Sequence, residues 1–268
     1  MRVITQLAWH AFRDAARGRV LYVLVPFAVL LIGAAWLSGQ LTAGQEVKIV
    51  KDLGLTAAAL CGLFTAVVLG VGLLAGEVER RSVYTLLAKP VRRHEVVLGK
   101  YAGLVLALVV NVGVLAIVLY GVLAFVAATE SAEARRGWET PAVDPALLKA
   151  CFLILVQLMV VAAAALFFAT FSSPALAAAM TLGLYVAGHF NADLQTLEEI
   201  VGPGLTASLA TGLSFVLPNL APFNVTAEVV HAQPVPPGYV ALTTATGLVY
   251  AALFLGGAML VFSRRDLT

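Results

Sequence analysis

Charged residues are scarce in this sequence. They make up 12% of its 268 residues, whereas apolar residues make up 61% and the mean hydropathy is +0.95. A soluble domain has about 25% charged and about 45–50% apolar residues. The composition therefore excludes a soluble globular protein and predicts an all-α polytopic membrane protein, because helices satisfy their own backbone hydrogen bonds in lipid.

Several kinds of chemical site are also missing. Cys61 and Cys151 are the two cysteines, and both fall in apolar runs that suit small core residues better than a disulfide or a metal site. The stretch 98–101 lacks the upstream Gly and the Ser or Thr of a nucleotide-binding P-loop. No zinc-protease helix, nucleophile elbow or paired-aspartate motif occurs. We therefore expect no catalytic residue, metal site or bound cofactor in this chain.

The apolar runs predict one transmembrane domain over residues 1–268, with six spans. Residues 1–19 come first and are amphipathic and basic, which predicts an interfacial helix lying flat on the membrane. The alternative for this stretch is a disordered basic leader. The six spans are predicted at 20–37, 55–75, 101–127, 146–171, 175–190 and 239–262.

A charged island at 77–100 separates the second and third spans. Six of the 17 Lys and Arg residues lie in it, and each cation would cost about 2.5–3.5 kcal/mol in hydrocarbon. The island must therefore lie outside the bilayer. Val83, Leu86 and Leu87 give a short helix within it one apolar stripe, and Pro90 ends that helix. A second helix can begin near Arg92 and continue into the third span.

The distribution of positive charge predicts the orientation of the chain. With six spans, twelve of the 17 Lys and Arg residues fall on the side of the island and of both termini. Cytoplasmic segments carry the excess of basic residues, so we expect both termini and the island in the cytoplasm. Residues 191–238 contain no Lys or Arg, are rich in proline and are then extracytoplasmic. Their apolar middle, 205–217, is too short to span and predicts a re-entrant or interfacial hairpin.

A few polar and small residues within or near the spans are candidates for a function. Asn111 and Gln157 are the strongly polar residues inside their spans; either could line a pathway, although a hydrogen bond between helices is the commoner role. Gly72 and Gly76 form a small-xxx-small pair that would let another helix approach, unless they are ordinary membrane-helix residues. A cluster at the outer end of span five could bind a metal or a head group, or be polar interface residues: His189, Asn191 and Asp193.

The island resembles the cytoplasmic loop of ABC-2 type transporter permeases. The matching residues are Glu77, Glu79, Ser82, Leu86-Leu87, Lys89-Pro90-Val91, Arg92-Arg93, Glu95 and Gly99-Lys100. Stretches 217–224 and 262–267 resemble a branch that includes the permease of the copper-maturation system of nitrous oxide reductase and gliding-motility permeases.

The resemblance implies a fold and a set of partners. The fold is six transmembrane helices with an interfacial helix, a cytoplasmic coupling helix between spans two and three, and re-entrant helices before span six. Two permeases would pair with two cytoplasmic ATPase subunits, which bind the ATP and Mg²⁺. The implied ATPase-coupling residues are Glu77, Glu79, Arg80, Arg81, Ser82, Val83, Leu86, Leu87, Pro90, Arg92, Arg93, Glu95 and Lys100.

The leading hypothesis is therefore the permease subunit of an ABC exporter in a bacterial inner membrane, coupled to export or to mechanical work. A secondary transporter is the alternative, but such proteins usually carry ionisable residues at mid-membrane and internal repeats, which the sequence does not show. A membrane enzyme is a third possibility, and the missing motifs argue against it. The expected partners are the ATPase dimer, a second copy of the permease, membrane lipid and a periplasmic accessory protein, with no nucleic acid.

Overall fold

The computed structural model describes residues 2–17, individual positions between 26 and 37, and residues 45–79, 93–138, 140–191 and 217–264. These residues form helices and no strand. The helices are α1 (Arg2–Arg17), α2 (Glu46–Glu79), α3 (Arg93–Thr129), α4 (Ala132–Arg136), α5 (Ala146–Ala169), α6 (Pro174–His189), a 3₁₀ turn (Ala221–Phe223), α7 (Thr226–Val230) and α8 (Pro237–Arg264).

Four of these helices are long and apolar enough to cross a membrane. They correspond to the predicted spans two, three, four and six. The all-helical class and a multi-pass membrane protein follow directly from this. Predicted span one lies largely outside the described residues, so the total of six stays a prediction. The apolar stretches are Glu46–Leu73, His94–Thr129, Ala146–Ala169 and Pro237–Ser263.

Helix α6 covers predicted span five but is short. It begins at Pro174, after the turn at Ser172 and Ser173, because a proline at the first helical position needs no hydrogen-bond partner for its nitrogen. Its 16 residues rise about 24 Å, which is less than the hydrocarbon thickness of about 30 Å. Its C-terminal residue, His189, is bonded to the middle of α5 and not to its end.

Helix α5 is the centre of the bundle. It packs against α2, α3, α6 and α8, and the seven residues 160–166 are completely buried. Four of these seven residues are alanine, whose small side chain lets the neighbouring helices approach. At Gly70 of α2, an added Cβ would lie 2.8 Å from the Cβ of Ala165. This helix is therefore surrounded by protein along its C-terminal half.

Candidate functional site

The two helices that flank the charged island run into it from both sides. Helix α2 continues through Glu77 to Glu79, and α3 begins at Arg93, close to the predicted start near Arg92. Glu95 lies in the first turn of α3. The predicted coupling helix itself lies outside the described residues, as do these candidates: Arg80, Arg81, Ser82, Val83, Leu86, Leu87, Pro90 and Arg92.

Lys100 lies between α2 and α3 and is not on the surface. Its side chain is 5% exposed, and Nζ donates a hydrogen bond to the backbone oxygen of Leu73 in α2. A buried ammonium needs such acceptors, because an unpaired charge is strongly disfavoured away from water. The residue thus joins the two helices where they enter the island. This position suits a link within the protein better than a contact with a partner.

Helix α1 packs against α3 at Gly103, about one turn after Lys100. A Cβ added at Gly103 would lie 2.6 Å from the backbone oxygen of Ala8 and 2.6 Å from the Cβ of Ala11. Glycine is therefore needed for this close approach of α1 to α3. We call Leu73, Lys100, Gly103, Ala8 and Ala11 the island base. At the island base, three helices are held together within about two turns of the charged island.

Three glycines that were not predicted make close contacts between α2 and its neighbours. Gly54 packs against Leu119 of α3, and Gly62 packs against Leu158 of α5. With Gly70, these glycines recur every eight residues, a spacing that could have marked them in the sequence. A Cβ at Gly72 would meet nothing within 4 Å, and the surroundings of Gly76 lie outside the described side chains.

Asn111 joins α3 to α2 in the middle of both helices. It is 1% exposed, and its Nδ2 donates to Oγ1 of Thr65 over 3.4 Å, which is long for a hydrogen bond. The Thr65 hydroxyl donates in turn to the backbone oxygen of Cys61 at 2.8 Å. Oδ1 of Asn111 is buried and has no partner among the described residues. An unmet buried acceptor costs about 1–3 kcal/mol, so this link is a weak one.

Gln157 and His189, predicted separately from two spans, are bonded to each other. Nε2 of Gln157 lies 3.0 Å from Nε2 of His189 and also donates to the backbone oxygen of Leu220 at 3.4 Å. Nδ1 of His189 lies 2.8 Å from the backbone oxygen of Tyr185, and the two rings are in contact, with centroids 4.4 Å apart. Gln157 is 2% exposed. These contacts join α5, the end of α6 and the segment 217–223.

The segment 217–223 is docked on α6 by its backbone as well. The N–H of Leu220 donates to the oxygen of Gly188 at 2.9 Å, and Nδ2 of Asn191 donates to the oxygen of Leu217 at 2.8 Å. A Cβ at Gly188 would lie 2.8 Å from the oxygen of Pro218, so the glycine makes room for the segment. Asp193, the third predicted member of this cluster, lies outside the described residues.

Helix geometry shows how deep this segment lies in the bundle. Phe223 packs beside Val156 of α5 and Gly247 of α8, each ten residues after the start of its helix. Ten helical residues rise about 15 Å, or half the hydrocarbon thickness of a bilayer. Lys149 Nζ donates to the oxygen of Val235 at 2.8 Å, so α5 and α8 start at the same level. Non-helical backbone is therefore buried within protein halfway along two candidate spans.

A buried lysine holds the opposite end of α2, and it was not among the predicted site residues. Lys51 is completely buried, and Nζ donates to Oγ1 of Thr140 and to the oxygen of Pro141, both at 2.9 Å. Nζ also lies 3.9 Å from Oδ2 of Asp144, whose other oxygen accepts from the N–H of Ala146. We call these contacts of Lys51 the clasp. A basic residue at the start of an apolar run is the sequence feature that could have indicated them.

Comparisons with known proteins agree with these features. A family model described as ABC-2 family transporter protein matches residues 5–267. The chain is also similar to the probable ABC transporter permease protein NosY of Stutzerimonas stutzeri, with 35% identity over 120 residues. That similarity covers 42% of this chain and 43% of NosY, which is less than half of either protein.

Proposed function

This chain belongs to the ABC-2 family of transporter proteins, and from that premise we propose that it is the permease subunit of an ATP-driven exporter. Members of this family are membrane transport subunits, and the four candidate membrane helices of this chain agree with that role. In the proposal a separate ATPase binds ATP and Mg²⁺, since the sequence has no P-loop. The permease converts closure of the ATPase pair into export or mechanical work.

The observation that carries the proposal is the construction of the island base. The island is the basic segment between two candidate spans, and Lys100, the last residue of the island, ties α2 and α3 to each other. Force applied to the island by a partner then acts on α2 and α3 as one unit. Helix α1, docked at Gly103, moves with them, and the buried α5 is the body against which they tilt.

Within the island we assign different roles to different side chains. The charged residues are proposed to contact charges on the ATPase, and the apolar stripe is proposed to fill a groove on it, as amphipathic helices do. Pro90 fixes the turn after the stripe. Because Lys100 is buried, we assign it to joining α2 and α3 within the permease and not to contact with the ATPase. The proposed contacts are Glu77, Glu79, Arg80, Arg81, Ser82, Val83, Leu86, Leu87, Arg92, Arg93 and Glu95.

The proposed assembly follows the family. Two copies of this permease pair with two ATPase subunits in a bacterial inner membrane, with both termini in the cytoplasm. A periplasmic accessory protein would contact the acidic extracytoplasmic segment, 191–238. Exposed apolar side chains on α2, α3 and α8, such as Phe64, Ile117 and Leu253, supply surface for lipid and for the second copy.

A charge reversal on the island tests the proposal. Arg80→Glu with Arg81→Glu should abolish copurification of the ATPase, or leave the complex intact with ATP hydrolysis no longer stimulated by transport. The matched control is Arg135→Glu with Arg136→Glu, which reverses two adjacent exposed arginines in α4, on the predicted opposite side. Full coupling in the island variant, or equal loss in the control, would refute the assignment of the island as the ATPase contact.

A further inference from the structure

With the Gln157 amide in its present orientation, the hydrogen-bond partners of His189 fit one tautomer. The backbone oxygen of Tyr185, 2.8 Å from Nδ1, can only accept, so Nδ1 must carry a hydrogen. The amide nitrogen of Gln157, 3.0 Å from Nε2, can only donate, so Nε2 must be bare. His189 is therefore neutral in this arrangement, with its hydrogen on Nδ1.

Gln157 uses a single nitrogen to hold two parts of the chain. One hydrogen of its Nε2 is directed to the ring of His189 and the other to the oxygen of Leu220. The amide therefore cannot change one of these bonds without changing the other. Turning its oxygen toward the ring would place that oxygen against the Leu220 carbonyl, where two acceptors face each other.

We propose that Gln157 and His189 form a proton-sensitive latch that holds the segment 217–223 on the end of α6. When Nε2 of His189 gains a proton, it becomes a donor and faces the N–H of Gln157. The amide turns to offer its oxygen, and its bond to Leu220, which at 3.4 Å is already long, is lost. The segment then keeps the bonds from Leu220 N–H and from Asn191, and the bond from the Tyr239 hydroxyl to the oxygen of Pro222 at 2.7 Å. Acidification thus loosens the segment, and a return to neutral pH docks it again.

The described contacts of the His189 ring are with uncharged groups. Helix α6 contributes the phenol of Tyr185, α5 contributes the uncharged Gln157, and the docked segment contributes backbone carbonyls. Tyr250 of α8 packs on the same apolar cluster of Val156, Val160, Leu220 and Phe223. Among the described residues, the hydrogen bonds and the ring contact of His189 involve no acidic or basic side chain.

Amide hydrogen exchange tests the latch directly, because the N–H of Leu220 is itself one of the docking bonds. The experiment uses the full-length permease in nanodiscs between about pH 5 and pH 8, the range in which histidine titrates. Exchange of the peptide containing 217–223 is compared between the wild type and His189→Gln. The Gln oxygen can accept from Gln157 but takes up no proton, and Asp193, Glu198 and Glu199 are present in both proteins.

The ratio of the two exchange rates cancels the intrinsic pH dependence of exchange. It should be close to one at the upper end of the range and should rise by up to about tenfold per pH unit as His189 gains its proton. Gln157→Glu should leave the segment loose at every pH, because a carboxylate has no N–H for Leu220 and favours protonated His189. A ratio that stays constant, or a Gln157→Glu protein as protected as the wild type, would overturn the latch. Unchanged exchange in α2 verifies that each variant is folded.

Discussion

Gly103→Ala is predicted to detach α1 from α3. The new Cβ would lie 2.6 Å from the oxygen of Ala8 and from the Cβ of Ala11, well inside van der Waals contact. The first of these is a backbone atom of α1, so it cannot move aside unless the whole helix shifts. Overpacking of this kind costs about 1–3 kcal/mol, which lowers the docking equilibrium of α1 by roughly 5- to 150-fold.

Hydrogen exchange of the peptide 2–17 is the assay, because detachment exposes the backbone of α1 to solvent. Gly113→Ala is the matched control: it lies on the same helix, and a Cβ there would meet nothing within 4 Å. The control should leave α1 protected and favour α3 slightly, since Ala is the better helix former by about 1 kcal/mol. Ala11→Gly in addition to Gly103→Ala should restore part of the protection. If the peptide 2–17 exchanges at the same rate in the Gly103→Ala and Gly113→Ala proteins, the reasoning about the island base is wrong.

Three further substitutions test other contacts. Lys100→Met keeps the buried stem but removes the bond to Leu73, so the ATPase should still copurify while transport per ATP hydrolysed falls; unchanged coupling would contradict the link. Asn111→Leu removes the unmet acceptor together with a long hydrogen bond, so thermal stability should stay equal or rise, and a large loss would show that the bond is strong. Lys51→Met should lower the free energy of unfolding by roughly 1–3 kcal/mol, because two hydrogen bonds are lost. Thermal unfolding in detergent measures this effect, and an unchanged melting temperature would show that the clasp contributes nothing.

The positions where α3, α5 and α8 begin could be predicted from the sequence within a few residues. Hydrophobic length decides where α5 and α8 begin. At α3 charge contributes as well, because hydrocarbon excludes the basic residues of the island that precede this helix. The predicted start near Arg92 and the observed start at Arg93 illustrate this. Pro174 and Pro237 mark two helix starts for a local reason, since proline suits the first turn.

The contacts between distant residues could not be predicted in this way. His189 and Gln157 were both noticed as polar residues, but only the fold shows that α6 ends beside the middle of α5. Burial of Lys100 depends on the position of Leu73 in another helix, so its charge alone indicated an exposed residue. Gly103 was missed because its function depends on α1, which is remote in sequence.

Site-specific photo-crosslinking in the assembled complex tests the central claim most directly. A crosslinking amino acid placed at Leu86, in the apolar stripe of the island, should capture the ATPase subunit. The same amino acid at Arg135, in exposed α4, should not. Capture of the ATPase from position 135 and not from position 86 would contradict the account that the island receives the force of ATP hydrolysis.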